Sequence, residues 1–145
     1  MNNLPHITVA TVVALEKRFL MVRERAQNKM VYNQPAGHVE VGETLQAAAE
    51  RETLEETGWQ VQIQSVLGVY SYPQSANGIH YVRHCFIAAP EQQLYSQPPD
   101  ADIESALWLT LEELQGLKAQ LRSPMVWRAL EDYLAGEAYP LSLLK

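Results

Sequence analysis

The chain has 145 residues, 47% of them apolar, and a formal net charge of −6. At that length roughly 70% of the unfolded surface can be buried, and one cysteine with four scattered histidines allows neither an intrachain disulfide nor a zinc site of standard spacing, so a reducing, cytoplasmic setting is expected. An acidic balance without a basic stripe argues against binding a nucleic acid polymer, and the apolar stretch over residues 7–15, with no export signal before it, falls well short of the about 20 residues that span a bilayer, so no membrane partner is expected.

Residues 7–15 and 19–23 are rich in β-branched and aromatic side chains and flank the polar Glu16-Lys17-Arg18, which predicts a hairpin. Over residues 24–33 the periodicity lapses and Arg25, Gln27, Asn28 and Lys29 gather, which predicts a loop of about ten residues leading to Gln34-Pro35-Ala36-Gly37. Residues 44–56 are good helix formers, with Thr44 as N-cap, Gly58 at the C-terminal cap and, because position 47 is Ala, no capping box. Residues 61–72 and 80–89 predict a second hairpin, joined through residues 73–78 with their Asn77-Gly78 turn signal. After a polar, proline-rich stretch over 90–102, residues 105–109 predict a short strand and residues 110–114 the start of a short helix. Ser123-Pro124 opens a last helix that ends at Gly136, with Met125, Val126, Leu130, Tyr133 and Leu134 as its apolar face. No repeat or linker interrupts the chain, so residues 1–145 read as a single α/β domain with a mixed sheet.

The central helix concentrates acid. It holds Glu50, Glu52, Glu55 and Glu56, with Glu43 just before it and Arg51 its only cation. Glu52, Glu55 and Glu56 are spaced i, i+3 and i+4, so they share a face on which like charges destabilise an isolated helix. A divalent cation reverses that sign, and carboxylate oxygens are the hard donors that Mg²⁺ and Mn²⁺ prefer. Gly37, five residues, Glu43, seven residues, Arg51-Glu52, two residues, Glu55-Glu56, one residue and Gly58, read as GHVEVGETLQAAAERETLEETGW, resembles the signature of the Nudix hydrolases. Thr53 stands where that family usually has an aliphatic residue, and Trp59 fills the final hydrophobic position.

The resemblance implies the Nudix fold, an α/β/α sandwich with a mixed sheet and the signature as a catalytic loop-helix-loop. It also implies metal-dependent hydrolysis of a nucleoside or other organic diphosphate by a monomer or homodimer. Carried over by position, Glu52, Glu55 and Glu56 are the principal ligands of Mg²⁺, or of Mn²⁺, with the Gly37 carbonyl a further one. Arg51 orients the glutamates, and Glu43 supports the loop or reaches a second metal. Glu52, Glu56 and Glu104 stand as alternatives for the base that takes the water proton. Gly37 and Gly58 are read as positions where turns at both helix ends favour positive φ. The segments NQPAGHVE, QPPDADIESALWL, LRSP and YPL further resemble a bacterial phosphatase branch of the family. That branch releases orthophosphate from nucleoside tri- and diphosphates and from the diphosphates of thiamine and hydroxymethylpyrimidine.

For such substrates, Arg23, Arg25 and Lys29 on the strand end and loop beside the signature, and Arg83 within the strand Tyr81-Val82-Arg83-His84-Cys85-Phe86, are the candidate phosphate contacts. Gln34, Tyr70, Tyr72 and Trp108 either read or stack on a heterocycle or pack in the core. Other Nudix specificities stay open: ADP-ribose, for which Pro73 is the one matching feature, oxidised nucleotides, and a silent nucleotide-binding module. The intact glutamates argue against the last.

Overall fold

The computed structural model describes residues 3–145. The first hairpin forms as β1 (His6–Leu15) and β2 (Arg18–Ala26), closed by Glu16 and Lys17, both at positive φ. Two consecutive left-handed residues make the turn whose twist matches the strands it joins. The same device recurs at Gln27 and Asn28. The stretch expected to be a loop is therefore the end of β2 and a third strand, β3 (Lys29–Asn33), with Arg23 opposite Tyr32 and Arg25 opposite Met30. What hid the strand is Glu24, a buried carboxylate at an inward position where alternation predicts an apolar residue.

A short strand inside the signature loop, β4 (Ala36–His38), pairs antiparallel with β1. The helix α1 (Leu45–Thr57) starts where Thr44 Oγ1 accepts from the Ala47 amide at 3.1 Å. It stops where the Gly58 amide donates to the Leu54 carbonyl at 2.8 Å from a left-handed backbone. Next come β5 (Trp59–Tyr72) and β6 (Tyr81–Gln93). β6 runs past Pro90, which stands opposite Val61 where a register shift leaves Glu91 unmatched. β7 (Ile103–Thr110) leads into α2 (Leu111–Gly116), opened by a capping box between Thr110 and Glu113. A 3-10 turn over Lys118–Gln120 precedes α3 (Pro124–Leu134), whose N-cap Ser123 accepts from the Met125 amide at 3.2 Å. A second 3-10 turn follows at Leu141–Leu143.

The seven strands form one sheet in the order β3-β2-β1-β6-β5, with β4 added on β1 and β7 on β2. β1 runs parallel to β6 and antiparallel to its other partners, so the sheet is mixed, as expected. Alternation along β1 divides the core. Val9 and Val13 pack with Ala48, Ala49, Val61 and Phe86 on the α1 side, and Ala10 and Val12 pack with Cys85, Val126, Ala129 and Leu130 on the α3 side. No helix among the described residues is long and apolar enough to cross a membrane.

Both departures from the signature have a packing reason. Thr53 is fully buried, donates to the Ala49 carbonyl at 2.7 Å and shares a 2.8 Å hydrogen bond with Thr11 Oγ1 of β1, a polar tie between helix and sheet. Trp59 meets Trp108 edge to face, with ring centres 5.5 Å apart. Thr53→Val leaves the buried Thr11 hydroxyl without its partner and is expected to cost about 1–3 kcal/mol in urea denaturation. Thr11→Val/Thr53→Val is expected to recover most of that loss, and equal destabilisation of the single and double variants would contradict the pairing.

Candidate active site

Beyond the reach of α3, the sheet face that carries Ala10, Cys85 and Ile87 continues into Thr8, Arg83 and Tyr81 and opens as a cleft of about 420 Å³. One wall is the junction of β4 and α1. Glu52 and Glu56, one turn apart, line it with Ala36, Gly37 and His38. The Ala36 amide donates to Glu56 Oε1 at 3.0 Å. A Cβ on Gly37 would overlap the Glu52 carboxylate, so a side chain here would have to push that carboxylate out of its present position. The expectation of positive φ at Gly37 is corrected by the backbone, which adopts positive φ at Gly58 (φ 79°) and not at Gly37.

Arg51 organises the remaining acids. Its guanidinium donates to Glu43 at 2.6 and 3.0 Å, to Glu52 at 3.2 Å, to Glu55 at 3.1 Å and to the His38 carbonyl at 3.0 Å. Hydrogen bonds from Arg51 and from the Glu40 amide hold Glu43 down at about 2. Glu52 and Glu56, which line the cleft, shift the other way. Burial pushes Glu52 up to about 7 despite Arg51. Glu56 is pushed up to about 9 by burial and then by Glu24, Glu52 and Asp100, against the Ala36 amide. Glu55 is half-exposed beside Arg51 and, like Glu43, lies outside the cleft lining.

Hard oxygen donors, partly desolvated and like-charged, suit a divalent cation, which offsets the burial and the repulsion that raise both groups. Among the described residues no three acid, histidine or cysteine side chains stand as a ready-made cage. Glu52 and Glu55 are turned to Arg51 instead.

The structure places several of the other expected residues away from this cleft. Glu104 is exposed outside the cleft, the extra residue of a bulge where Arg23 faces Ser105 and Glu24 faces Ile103. The acid contributed from that part of the chain is Asp100, whose amide donates to the Glu55 carbonyl at 2.9 Å. Arg23, Arg25 and Lys29 do not line the cleft, because alternation along β2 and β3 turns the first two to the face opposite Glu24 and the last sits at the hairpin tip. Gln34 is fully buried, donating to the Val126 carbonyl at 2.9 Å and accepting from Arg83 at 3.4 Å, so it presents no edge to a heterocycle. Tyr70 is spent on Asp132 at 2.7 Å, and Trp108 packs on Trp59. Tyr72 does line the cleft.

Arg83 lines it too, buried, with Nη2 donating to Asn33 Oδ1 at 3.0 Å. Burial holds this guanidinium below its ordinary range. The sequence reading gave no role to Glu24, Asn33, Asn77, Tyr81, Asp100 or Arg122, all of which line the cleft. Arg122 was signalled only as part of LRSP.

A glycine-flanked loop, helix and loop that bring carboxylates to a cleft also lined by arginines fit a hydrolase for phosphorylated small molecules. The chain belongs to the Nudix hydrolase family: the NUDIX domain model matches residues 4–128. It is 41% identical to "Phosphatase NudJ" of Shigella boydii over 97% of this chain and 90% of that protein. Its identity to the Escherichia coli K12 protein of the same name is 40%, over the same shares. Among solved structures, a NUDIX hydrolase from Nitrosomonas europaea superposes with a TM-score of 0.92 at 35% identity, covering 98% of this chain and 97% of that one. A MutT NUDIX hydrolase from Burkholderia pseudomallei gives 0.74 at 25%, covering 89% and 98%.

Two outcomes test the site. Gly37→Ala displaces the Glu52 carboxylate and is expected to lower turnover by about a hundredfold while the circular dichroism spectrum is kept; full activity would contradict the close-approach argument. Second, Glu52 and Glu56 ionise at about 7 and 9 in the fold against an ordinary 4.5, so the folded state holds more protons across that window and stability falls as pH rises through it. The Tm of the metal-free protein is expected to drop between about pH 5 and pH 9, and Mg²⁺ to raise Tm more at the upper end. A pH-independent Mg²⁺ increment would contradict the carboxylate assignment.

Proposed function

We propose that the protein hydrolyses the terminal phosphoanhydride of nucleoside tri- and diphosphates and of thiamine and hydroxymethylpyrimidine diphosphates, releasing orthophosphate in a Mg²⁺-dependent reaction. Mn²⁺ serves as an alternative ion, and a cytoplasmic setting suits the single buried thiol, Cys85. The observation that carries this reading is the polarity of one cleft, with Glu52 and Glu56 on one wall and Arg83 and Arg122 among its other lining residues. The likeness to the two NudJ phosphatases along nearly the whole chain supports the choice of bond.

Glu52, Glu56 and the Gly37 carbonyl would hold the cation, with Glu55 and Glu43 adjoining them through Arg51. When bound, the ion neutralises the diphosphate and acidifies a water. Across the cleft the arginines take the phosphate oxygens, and Arg51 fixes Glu52 against drift. As the water oxygen bonds to the terminal phosphorus, the bridging P–O bond breaks with its electron pair left on the bridging oxygen, and a carboxylate accepts the water proton. Glu52, Glu56 and Asp100 line the cleft and are the candidates for that role, in place of Glu104.

The test is product analysis with Mg²⁺ over nucleoside di- and triphosphates, thiamine diphosphate, hydroxymethylpyrimidine diphosphate and ADP-ribose. Orthophosphate from all but ADP-ribose is expected. Pyrophosphate with a nucleoside monophosphate would replace this reading with nucleotide cleansing, and AMP with ribose phosphate would replace it with ADP-ribose hydrolysis. Glu56→Gln is expected to reduce turnover by about two to four orders of magnitude with Tm unchanged or raised; wild-type turnover would remove Glu56 from the chemistry.

A further inference from the structure

The cationic part of the cleft contains two arginines that differ in kind. Arg83 is immobilised, 5% exposed, and its recorded hydrogen bonds all leave from Nη2, to Asn33 and Gln34. Arg83 nevertheless lines the cleft, so the part of its guanidinium not turned to Asn33 and Gln34 borders that space. Arg122 is held at the main chain instead. Its amide donates to the Tyr32 carbonyl at 2.8 Å, and the next residue, Ser123, caps α3. Its side chain is 39% exposed, with Nη1 donating to Glu24 Oε2 at 2.7 Å.

That same oxygen accepts from Asn33 Nδ2 at 3.1 Å, and Asn33 Oδ1 accepts from Arg83. One nearly buried carboxylate therefore links the exposed arginine to the buried one through a single amide. Glu24 is also out of place. It sits in a cleft that already holds Glu52, Glu56 and Asp100, and it adds to the repulsion that raises Glu56. Among the described residues its ion-pair partner is Arg122.

We infer that Arg122 and the free edge of Arg83 clamp the free terminal phosphate of the substrate, and that Glu24 is an internal counter-ion that holds Arg122 ready until that phosphate displaces it. A terminal phosphate carries close to two negative charges and three acceptor oxygens, which match a pair of planar guanidinium forks. A diphosphate substituted at both ends offers less charge and fewer oxygens at either phosphorus. Selection for a free end thus resides in Arg122, outside the signature, and the inference rests on the orthophosphate-releasing reading above.

The test is a double-variant cycle read in two ways: inhibition and direct calorimetric binding by inorganic phosphate, and KM against kcat on thiamine diphosphate. Arg122→Gln is expected to weaken phosphate binding and raise KM by about tenfold or more, with kcat changed far less, and Arg122→Lys to restore part of the loss because it keeps the charge. Glu24→Gln is expected to tighten phosphate binding severalfold in the otherwise native protein and to have little effect when combined with Arg122→Gln. Equal effects of Glu24→Gln in both backgrounds would overturn the counter-ion. Unchanged phosphate binding in Arg122→Gln, with its Tm preserved, would overturn the clamp. If Arg122→Gln unfolds, failure of the folded Arg122→Lys to bind phosphate better than Arg122→Gln/Glu24→Gln would do the same. Phosphate binding is measured without turnover, so a wild-type protein that releases pyrophosphate refutes the proposed reaction and leaves this result separately readable.

Discussion

The structure turns on keeping carboxylates close together where water is scarce. Glu52 and Glu56 face one cleft with Glu24 and Asp100, and a helix bearing such charges does not pack against a sheet unless something offsets them. Two devices share that task. Arg51, reaching back along α1, joins Glu43, Glu52, Glu55 and a main-chain carbonyl in one hydrogen-bonded group. Gly37 lets β4 approach so closely that the Glu52 carboxylate fills the place of a side chain. β4, the loop after it and α1 are joined by those contacts.

The rest of the molecule makes that approach stable. Thr11 and Thr53 tie β1 to α1 through a buried hydroxyl pair, and Ala48 and Ala49 bring the helix backbone close to the sheet. On the opposite side, α3 covers Ala10, Val12 and Cys85 and ends its coverage where the cleft begins. Of the apolar face expected for α3, Val126 and Leu130 are buried, with Ala129 beside them, Met125 and Tyr133 are half-buried, and Leu134 is exposed. Charge is thus concentrated at the end of a face whose remainder is apolar, and hydrogen bonds to Asn33 and Gln34 hold the Arg83 guanidinium there.

What was legible in the sequence is what local chemistry dictates. The caps at Thr44, Gly58 and Ser123, the hairpins and the mixed sheet follow from propensity, turn residues and alternation, and the glutamate spacing follows from helix geometry. What escaped it depends on tertiary position. β3 was hidden because Glu24 is polar where a strand should be apolar, and the Gln27-Asn28 turn carries no glycine to announce it. Gln34 and Tyr70 are residue types suited to a ligand, but the fold uses them on Val126 and Asp132. Asp100 and Glu104 differ by four positions in a polar stretch. Only the bulge in β7 and the backbone bond to α1 separate the one that faces the cleft from the one that faces solvent.

The parallel pairing of β1 with β6 also orders the assembly of the molecule in time. β1 and β2, β2 and β3, and β5 and β6 are each joined by short connections and close on the fast scale of hairpins. Matching Ile7 with Val82 and Thr8 with Arg83 instead requires ends far apart in the chain to find one register, and loop closure of that kind is slow. Arg83 comes within reach of Asn33 and Gln34 only through that event. The cleft, and with it the place where a phosphate would bind, is therefore complete only once that long-range register has been found.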